Sequence, residues 1–203
     1  MSVEQEIEIY RNNPEELYTT GFYKQMRRAR GWQASVGKCM AETYGFNSAI
    51  DFGCGIGSYL QGMKQAGVEN VFGYEFLRKS VDPYIDKDMK PYIKQGSLMD
   101  ILRPGKFEWV QSIEVVEHLL PEASDVIVTN LTDASCKYLF FTAAVPGQGG
   151  VGHINEREQS FWIEKIEAKG FKHLVNDFKS LKEKFALLGH RRYPKKFMLF
   201  EKI

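Results

Sequence analysis

Cysteine is scarce in this sequence of 203 residues: Cys39, Cys54 and Cys136 form an odd, widely spaced set with no C-x-x-C pair. That excludes a disulfide scaffold and a cysteine zinc cluster, and it fits reduced thiols. An excess of charge of one sign is also missing. Lys+Arg 27 against Asp+Glu 26 leaves +1, which excludes a globally basic polyanion binder but allows a local basic patch. Long apolar runs are absent, and the longest, Tyr138 to Val145, is far short of a bilayer span. The first ten residues are acidic and carry no basic-then-apolar leader pattern. No internal repeat or low-complexity tract appears. The expectation is a cytoplasmic protein with no membrane partner, long enough to bury a full core as one domain.

What is present begins with a polar, helix-like stretch to about Tyr44. Asn13-Pro14-Glu15-Glu16 reads as a helix start, Gly21 and Gly31 as punctuation, and Ser35 to Tyr44 as a second helix. Residues 1–47 are therefore expected to form a helical cap on the same domain. From 48 to 203 the pattern alternates. Strands are expected over Ser48–Phe52, Asn70–Glu75, Tyr92–Gly96, Phe107–Ile113, Tyr138–Val145, Phe171–Val175 and Lys196–Lys202. Helices are expected over Ser58–Ala66, Glu122–Ala134 and Phe178–Leu188, with a helix or turn over Lys79–Asp88. Asn155 and Glu158 have capping-box spacing, opening a helix that runs to about Lys169 and stops at Gly170. Seven strands alternating with helices predict an α/β fold: a Rossmann-like, mostly parallel seven-stranded sheet with helices on both faces. Ligands of such sheets bind beyond the carboxyl ends of the strands, at the switch point.

The strongest motif lies at the end of the first strand. Asp51-Phe52-Gly53-Cys54-Gly55-Ile56-Gly57 is a glycine-rich turn leading into a helix, where the backbone can bend sharply and a ligand can approach closely. The dinucleotide fingerprint would place its third glycine where Ser58 stands. A carboxylate, Asp51, sits beside the turn instead, which suits a cationic ligand better than a pyrophosphate. Glu75 ends the second strand 20 residues after Gly55, where a carboxylate can accept both hydroxyls of a ribose. Together these residues describe a nucleoside site with acidic flanks.

With Ser112-Ile113-Glu114-Val115-Val116-Glu117-His118 closing the fourth strand, the chain resembles the class I S-adenosylmethionine-dependent methyltransferases. The similarity runs from about Ile50 to Val145. It implies S-adenosyl-L-methionine as cofactor. Gly53, Cys54, Gly55 and Gly57 would line its methionine and ribose part, with Asp51 near the amino end. Glu75 would bind the ribose and Phe76 would lie against the adenine. Ser97 and Leu98 would hold the adenine edge, although many relatives carry Asp where Ser97 stands. Ser112 and Ile113 would flank the sulfonium. The implied reaction is displacement at the methyl carbon, which asks the protein mainly for alignment and a dry pocket.

The acceptor is narrowed by further absences. The Asn/Asp-Pro-Pro-Tyr/Phe turn that grips amides and exocyclic amines is not found after the fourth strand. Compact size and near-neutral charge favour a small-molecule acceptor over nucleic acid, with O-methylation ahead of N-methylation. RNA, protein or a non-catalytic cofactor-binding role are the alternatives. His153, in the glycine-rich loop Gly149 to Asn155, is a candidate base on a lid, and His118 is the second; each could instead be structural. Glu114 is a candidate for orienting substrate. Arg27-Arg28-Ala29-Arg30 and His190-Arg191-Arg192 are basic clusters, the first interleaved with Tyr18, Phe22, Tyr23 and Trp32. Tyr23 and Arg27 could hold an acidic acceptor, against the plainer reading of a solvated helix face. No metal is implied, because no tight group of His and carboxylate ligands is readable.

Overall fold

The computed structural model describes residues 1–18, 20–175, 181, 183–185 and 196–203. Its strands are β1 (Ser48–Phe52), β2 (Asn70–Glu75), β3 (Ile93–Gln95), β4 (Phe107–Ile113), β5 (Ser135–Thr142), β6 (Phe171–His173) and β7 (Met198–Lys202). They form one sheet in the order β3-β2-β1-β4-β5-β7-β6. The strands from β3 across to β5 pair in parallel, and β7 is antiparallel to both neighbours. The chain thus works outward from β1 to β3, then crosses back to lay β4 against the other side of β1. That reversal opens a crevice at the carboxyl ends of β1 and β4.

Strand alternation assigns each side chain to a face. Trp109 and Phe140 point to one face and Val110 and Phe141 to the other, all fully buried. Each buried aromatic or aliphatic side chain contributes about 1.5–3 kcal/mol. One face is covered by α5 (Ser124–Ala134) and α6 (Gln159–Glu167), through Ile127, Leu131 and Trp162. The other is covered by α2 (Thr20–Tyr44) and α3 (Ser58–Gln65), through Val36, Met40, Leu60 and Met63. The N-terminal helix α1 (Val3–Asn12) is closed by a Ser2–Gln5 capping box. It packs Tyr10, with Leu17 just beyond, against the first core. A short helix, α4 (Arg78–Val81), follows β2.

Several expectations shift. Gly31 does not end a helix; α2 runs through it as 25 continuous residues, because the flanking Met, Arg, Ala, Gln and Lys are good helix formers and the crossing with α3 at Ala34 and Gly37 anchors the helix just beyond it. β5 begins three residues earlier than Tyr138 and ends at Thr142. Asn155 caps nothing. Its side chain bonds Val116 O, Ser124 Oγ and Arg157 Nε, so α6 starts later, at Gln159, with Glu158 at its N-cap and no side-chain cap. The expected helix over Phe178–Leu188 lies largely outside the described residues, as does the cluster His190-Arg191-Arg192. Among the described residues no helix is long and apolar enough to cross a membrane.

Gly31 gives a direct test of this helix. A Cβ added there meets nothing within 4 Å, so Gly31→Ala removes backbone freedom from the unfolded chain at no steric cost. It is expected to stabilise the protein by about 0.5–1 kcal/mol. A chemical denaturation midpoint that fails to rise would mean α2 is interrupted.

Candidate active site

The turn after β1 is shaped by glycine where the backbone requires it. Gly53 and Gly55 have φ of 83° and 54°. A Cβ on Gly53 would fall 2.6 Å from the Val115 methyls, and one on Gly55 would fall 2.1 Å from the Met26 methyl. The N–H groups of Gly53 and Cys54 both donate to Tyr74 O, which pins the turn to β2. Cys54 is buried with its thiol raised well above the usual range, burial being the main cause, which disfavours the thiolate.

The two acids flank this turn. Asp51 is 2% exposed, and its Oδ2 accepts from Gln111 Nε2 at 2.9 Å. Gln111 Oε1 in turn accepts from Trp109 Nε1. Burial raises the Asp51 carboxyl to about 7, Gln111 opposes the shift, and the charge of Glu75 adds to it. Glu75 accepts the Gly55 N–H on one oxygen and the Leu77 N–H on the other, each at 2.9 Å. Burial also raises its carboxyl, with those backbone N–H groups working against the rise. Both acids border a cavity of 380 Å³.

Gly53, Cys54, Gly55, Phe76, Ser97, Leu98, Ile113, Glu114, His118 and Tyr23 border the same cavity. Its opposite wall is aromatic. Tyr18 and Phe22 lie 5.1 Å apart, centroid to centroid, and Tyr18 reaches His118 edge-on at 6.0 Å. Tyr10 lies near-parallel to Phe76 at 6.4 Å. No lysine or arginine is among the described residues lining the cavity. Two carboxylates, close backbone and flat apolar walls fit a cationic nucleoside, and the lack of basic side chains does not fit a pyrophosphate.

Four expected site residues lie elsewhere. Arg27 is turned outward: its Nη1 donates to Tyr84 O and pairs with Asp86, which also takes Arg30. With Arg27 engaged there, no lysine or arginine on the described cavity wall is left to pair with an acidic acceptor. Ser112 is fully buried and ties β4 to β1 through Phe52 O. Gly57 stands behind the turn, where a Cβ would meet Ile93. His153 sits one layer back, its ring edge-on to His118 at 4.9 Å. Its loop is tied down: Ile154 and Asn155 donate to Glu117 O, and Glu156 accepts from Gly147, Gly149 and His153 Nδ1.

The end of β4 holds more than the sequence reveals. Glu114 has φ of 53°, a left-handed backbone for a non-glycine residue, fixed by Thr142 Oγ1 accepting its N–H. Lys196 Nζ lies 3.4 Å from its Oε2. His118 Nδ1 faces Gly152 O at 3.1 Å, so it carries the proton and Nε2 carries the lone pair. Burial, then the neighbouring His153, lowers the His118 imidazole to about 4, which keeps it neutral. Glu117 is fully buried, and neither carboxylate oxygen meets a hydrogen-bond donor. Burial first and Glu114 second raise that carboxyl to about 8. The amides of Ala144 and Glu117 itself ease it without reaching hydrogen-bond geometry.

No family model and no curated protein matches the sequence. Solved structures do match. A TehB-like SAM-dependent methyltransferase from Corynebacterium glutamicum is 16% identical with a TM-score of 0.65, over 94% of this chain and 100% of that one. Magnesium protoporphyrin IX methyltransferase (ChlM) from Synechocystis PCC 6803, with bound SAH, is 15% identical with a TM-score of 0.61, over 98% of this chain and 100% of that one. The mitomycin 7-O-methyltransferase MmcR is 14% identical with a TM-score of 0.60, over 100% of this chain and 61% of that one. Strand order, the single antiparallel β7 and these similarities agree: the chain has the Rossmann-like fold of class I SAM-dependent methyltransferases.

Proposed function

We propose that this protein is an S-adenosylmethionine-dependent methyltransferase acting on a small-molecule acceptor, with a hydroxyl as the group methylated. The observation that carries the reading is the pair of acids, buried Asp51 and half-buried Glu75, flanking the glycine turn on one cavity free of lysine and arginine among the described residues. When bound, S-adenosylmethionine supplies a methyl group already activated by a sulfonium. Asp51 would accept from its ammonium group, and Glu75 from its ribose hydroxyls. Phe76, Leu98 and Ser97 would flank the adenine, while Gly53, Gly55 and Ile113 would allow close approach. The aromatic wall of Tyr18, Phe22 and Tyr23 would lie over the reacting centre and shield it from water. The acceptor belongs between that wall and Glu114 and His118, where the neutral imidazole offers Nε2 to the leaving proton.

Calorimetry with S-adenosylmethionine and S-adenosylhomocysteine, followed by transfer of labelled methyl into metabolite, RNA and protein pools, tests this. Both nucleosides should bind and label should enter the metabolite pool. Label confined to RNA or protein would overturn the acceptor class, and absence of binding would overturn the whole reading. His118→Gln should lower turnover by about 100-fold or more while leaving nucleoside affinity near the parent value. Turnover that stays unchanged removes His118 from the chemistry.

A further inference from the structure

We infer that Glu117, His118 and His153 form a binding site for one divalent first-row transition-metal ion at the edge of the acceptor cavity. One ligand atom from each of the three lies within 4.8 Å of the others. Metal–ligand bonds of about 2.0–2.2 Å set tetrahedral ligand atoms about 3.3–3.6 Å apart, so side-chain rotations that draw the three together by about 1 Å close the site.

Three features separate this group from a chance cluster. The first is the carboxylate. Glu117 is fully buried with both oxygens unpartnered, an arrangement that is costly in a folded protein unless a ligand or a proton relieves it. The second is the histidines. Each uses Nδ1 on an acceptor, Gly152 O for His118 and the Glu156 carboxylate for His153. That fixes the tautomer and presents Nε2 as the lone pair, as outer-shell partners do for metal-ligating imidazoles. The third is the loop. Ile154 and Asn155 donate to Glu117 O, locking the segment that carries His153 to the segment that carries the other two. A Cβ on Gly150 would fall 2.4 Å from His153 Nε2, and one on Gly152 would fall 3.3 Å from His118 Nδ1. Both positions leave room for the rings.

Two imidazoles and one carboxylate suit manganese, iron, cobalt or zinc, and not magnesium or calcium, which prefer oxygen throughout. Because His118 borders the cavity, coordination positions beyond these three would face it. A cation held by His118 Nε2 would take the same lone pair that the acceptor proton would need. A bound ion therefore converts His118 from proton acceptor to ligand, and the acidity of a coordinated acceptor hydroxyl then comes from the metal. That last consequence rests on the methyl-transfer reading; the binding site itself does not.

The test uses the full chain, stripped with EDTA and dialysed, titrated with Co²⁺ by visible absorption and with Mn²⁺ by electron paramagnetic resonance, with no nucleoside present. One equivalent should bind, giving cobalt bands of a nitrogen–oxygen site and a rise in melting temperature. Glu117→Gln and His153→Gln should each weaken binding by about tenfold or more and abolish the thermal shift. No stoichiometric binding by the parent, or unchanged binding by His153→Gln, overturns the site. If Glu117→Gln does not fold, His153→Gln, which lies in a surface loop, decides alone. Nucleoside calorimetry on the stripped protein is scored separately, so the metal site can fail while the cofactor reading survives.

Discussion

Asp51→Asn is expected to make the ligand-free protein more stable at pH 8 than its parent, and to leave the two equal near pH 4. The Asp51 carboxyl is held at about 7 in the folded protein, burial being the dominant cause, against about 3.9 in an unfolded chain. A raised folded pKa in an acid means the native state binds the proton more tightly. Its contribution is present below the unfolded value and is lost as pH rises from about 4 through about 7. The loss across that window is on the order of 4 kcal/mol. Asparagine keeps the carbonyl that Gln111 needs. The Gln111 amide is oriented by Trp109, so the new side chain must turn its oxygen to Gln111 and its amino group to the cavity. Urea unfolding of both proteins at pH 4.5, 6 and 8 reads the divergence directly. Parallel curves would mean that Asp51 is ionised in the folded protein throughout.

The same substitution should act in the opposite direction on the ligand. On the proposed reading, the nucleoside brings positive charge to Asp51 and is held by the ionised form. Affinity of the parent should climb with pH up to about 7, with proton release on binding below that. Asp51→Asn should lose about 10- to 150-fold in affinity, the worth of a hydrogen bond to a charged group, and should lose the pH dependence. A gain in stability paired with a loss of binding marks a carboxylate kept for the ligand and not for the fold.

How much of this was legible in the sequence depends on how local each feature is. Asp51, the glycines and Glu75 sit at strand ends and in a turn whose backbone demands leave a mark in the residue types themselves. The strand succession was equally local, since alternating aromatic and aliphatic residues such as those around Trp109 and Phe140 are required by a sheet covered on both sides. Arg27 failed for the opposite reason. Its partner Asp86 lies 59 positions away, and nothing near Arg27 announces it. Ser112 carries a hydroxyl that suits either a ligand or Phe52 O, and only the register of β4 against β1 decides between them. Glu117 and His118 were visible as neighbours. His153 joins them only because the backbone of Glu117 receives two N–H groups from the far loop, so the metal-ligand spacing sought along the chain was never there to find. The continuity of α2 through Gly31 was hidden because its stability comes from α3, a tertiary contact that outweighs a local breaker.

That contact holds the tightest glycine approach among the described residues, and a large stability effect with it. Where α2 crosses α3, each helix offers a glycine to the other's backbone. A Cβ on Gly62 would fall 1.8 Å from Ala34 O, and one on Gly37 would fall 2.1 Å from Tyr59 O. Carbonyl oxygens cannot rotate aside as side chains do, so the helices must separate. Alanine in a helix gains roughly 1 kcal/mol over glycine from propensity, whereas forcing a packed pair apart costs about 1–3 kcal/mol and more when backbone has to move. The steric term wins, and Gly62→Ala should destabilise by about 2 kcal/mol or more, opposite in sign to Gly31→Ala on the same pair of helices. The separation also loosens Met40, Leu60 and Met63 in the core beneath. It moves Tyr23, Met26 and Trp32, which α2 contributes to the cavity wall, so nucleoside affinity should fall with stability. Gly37→Ala should behave alike, but the double variant should cost less than the two singles together, because helices already parted by one methyl group have room for the second. Strict additivity would show that the two glycines relieve separate contacts and not one crossing.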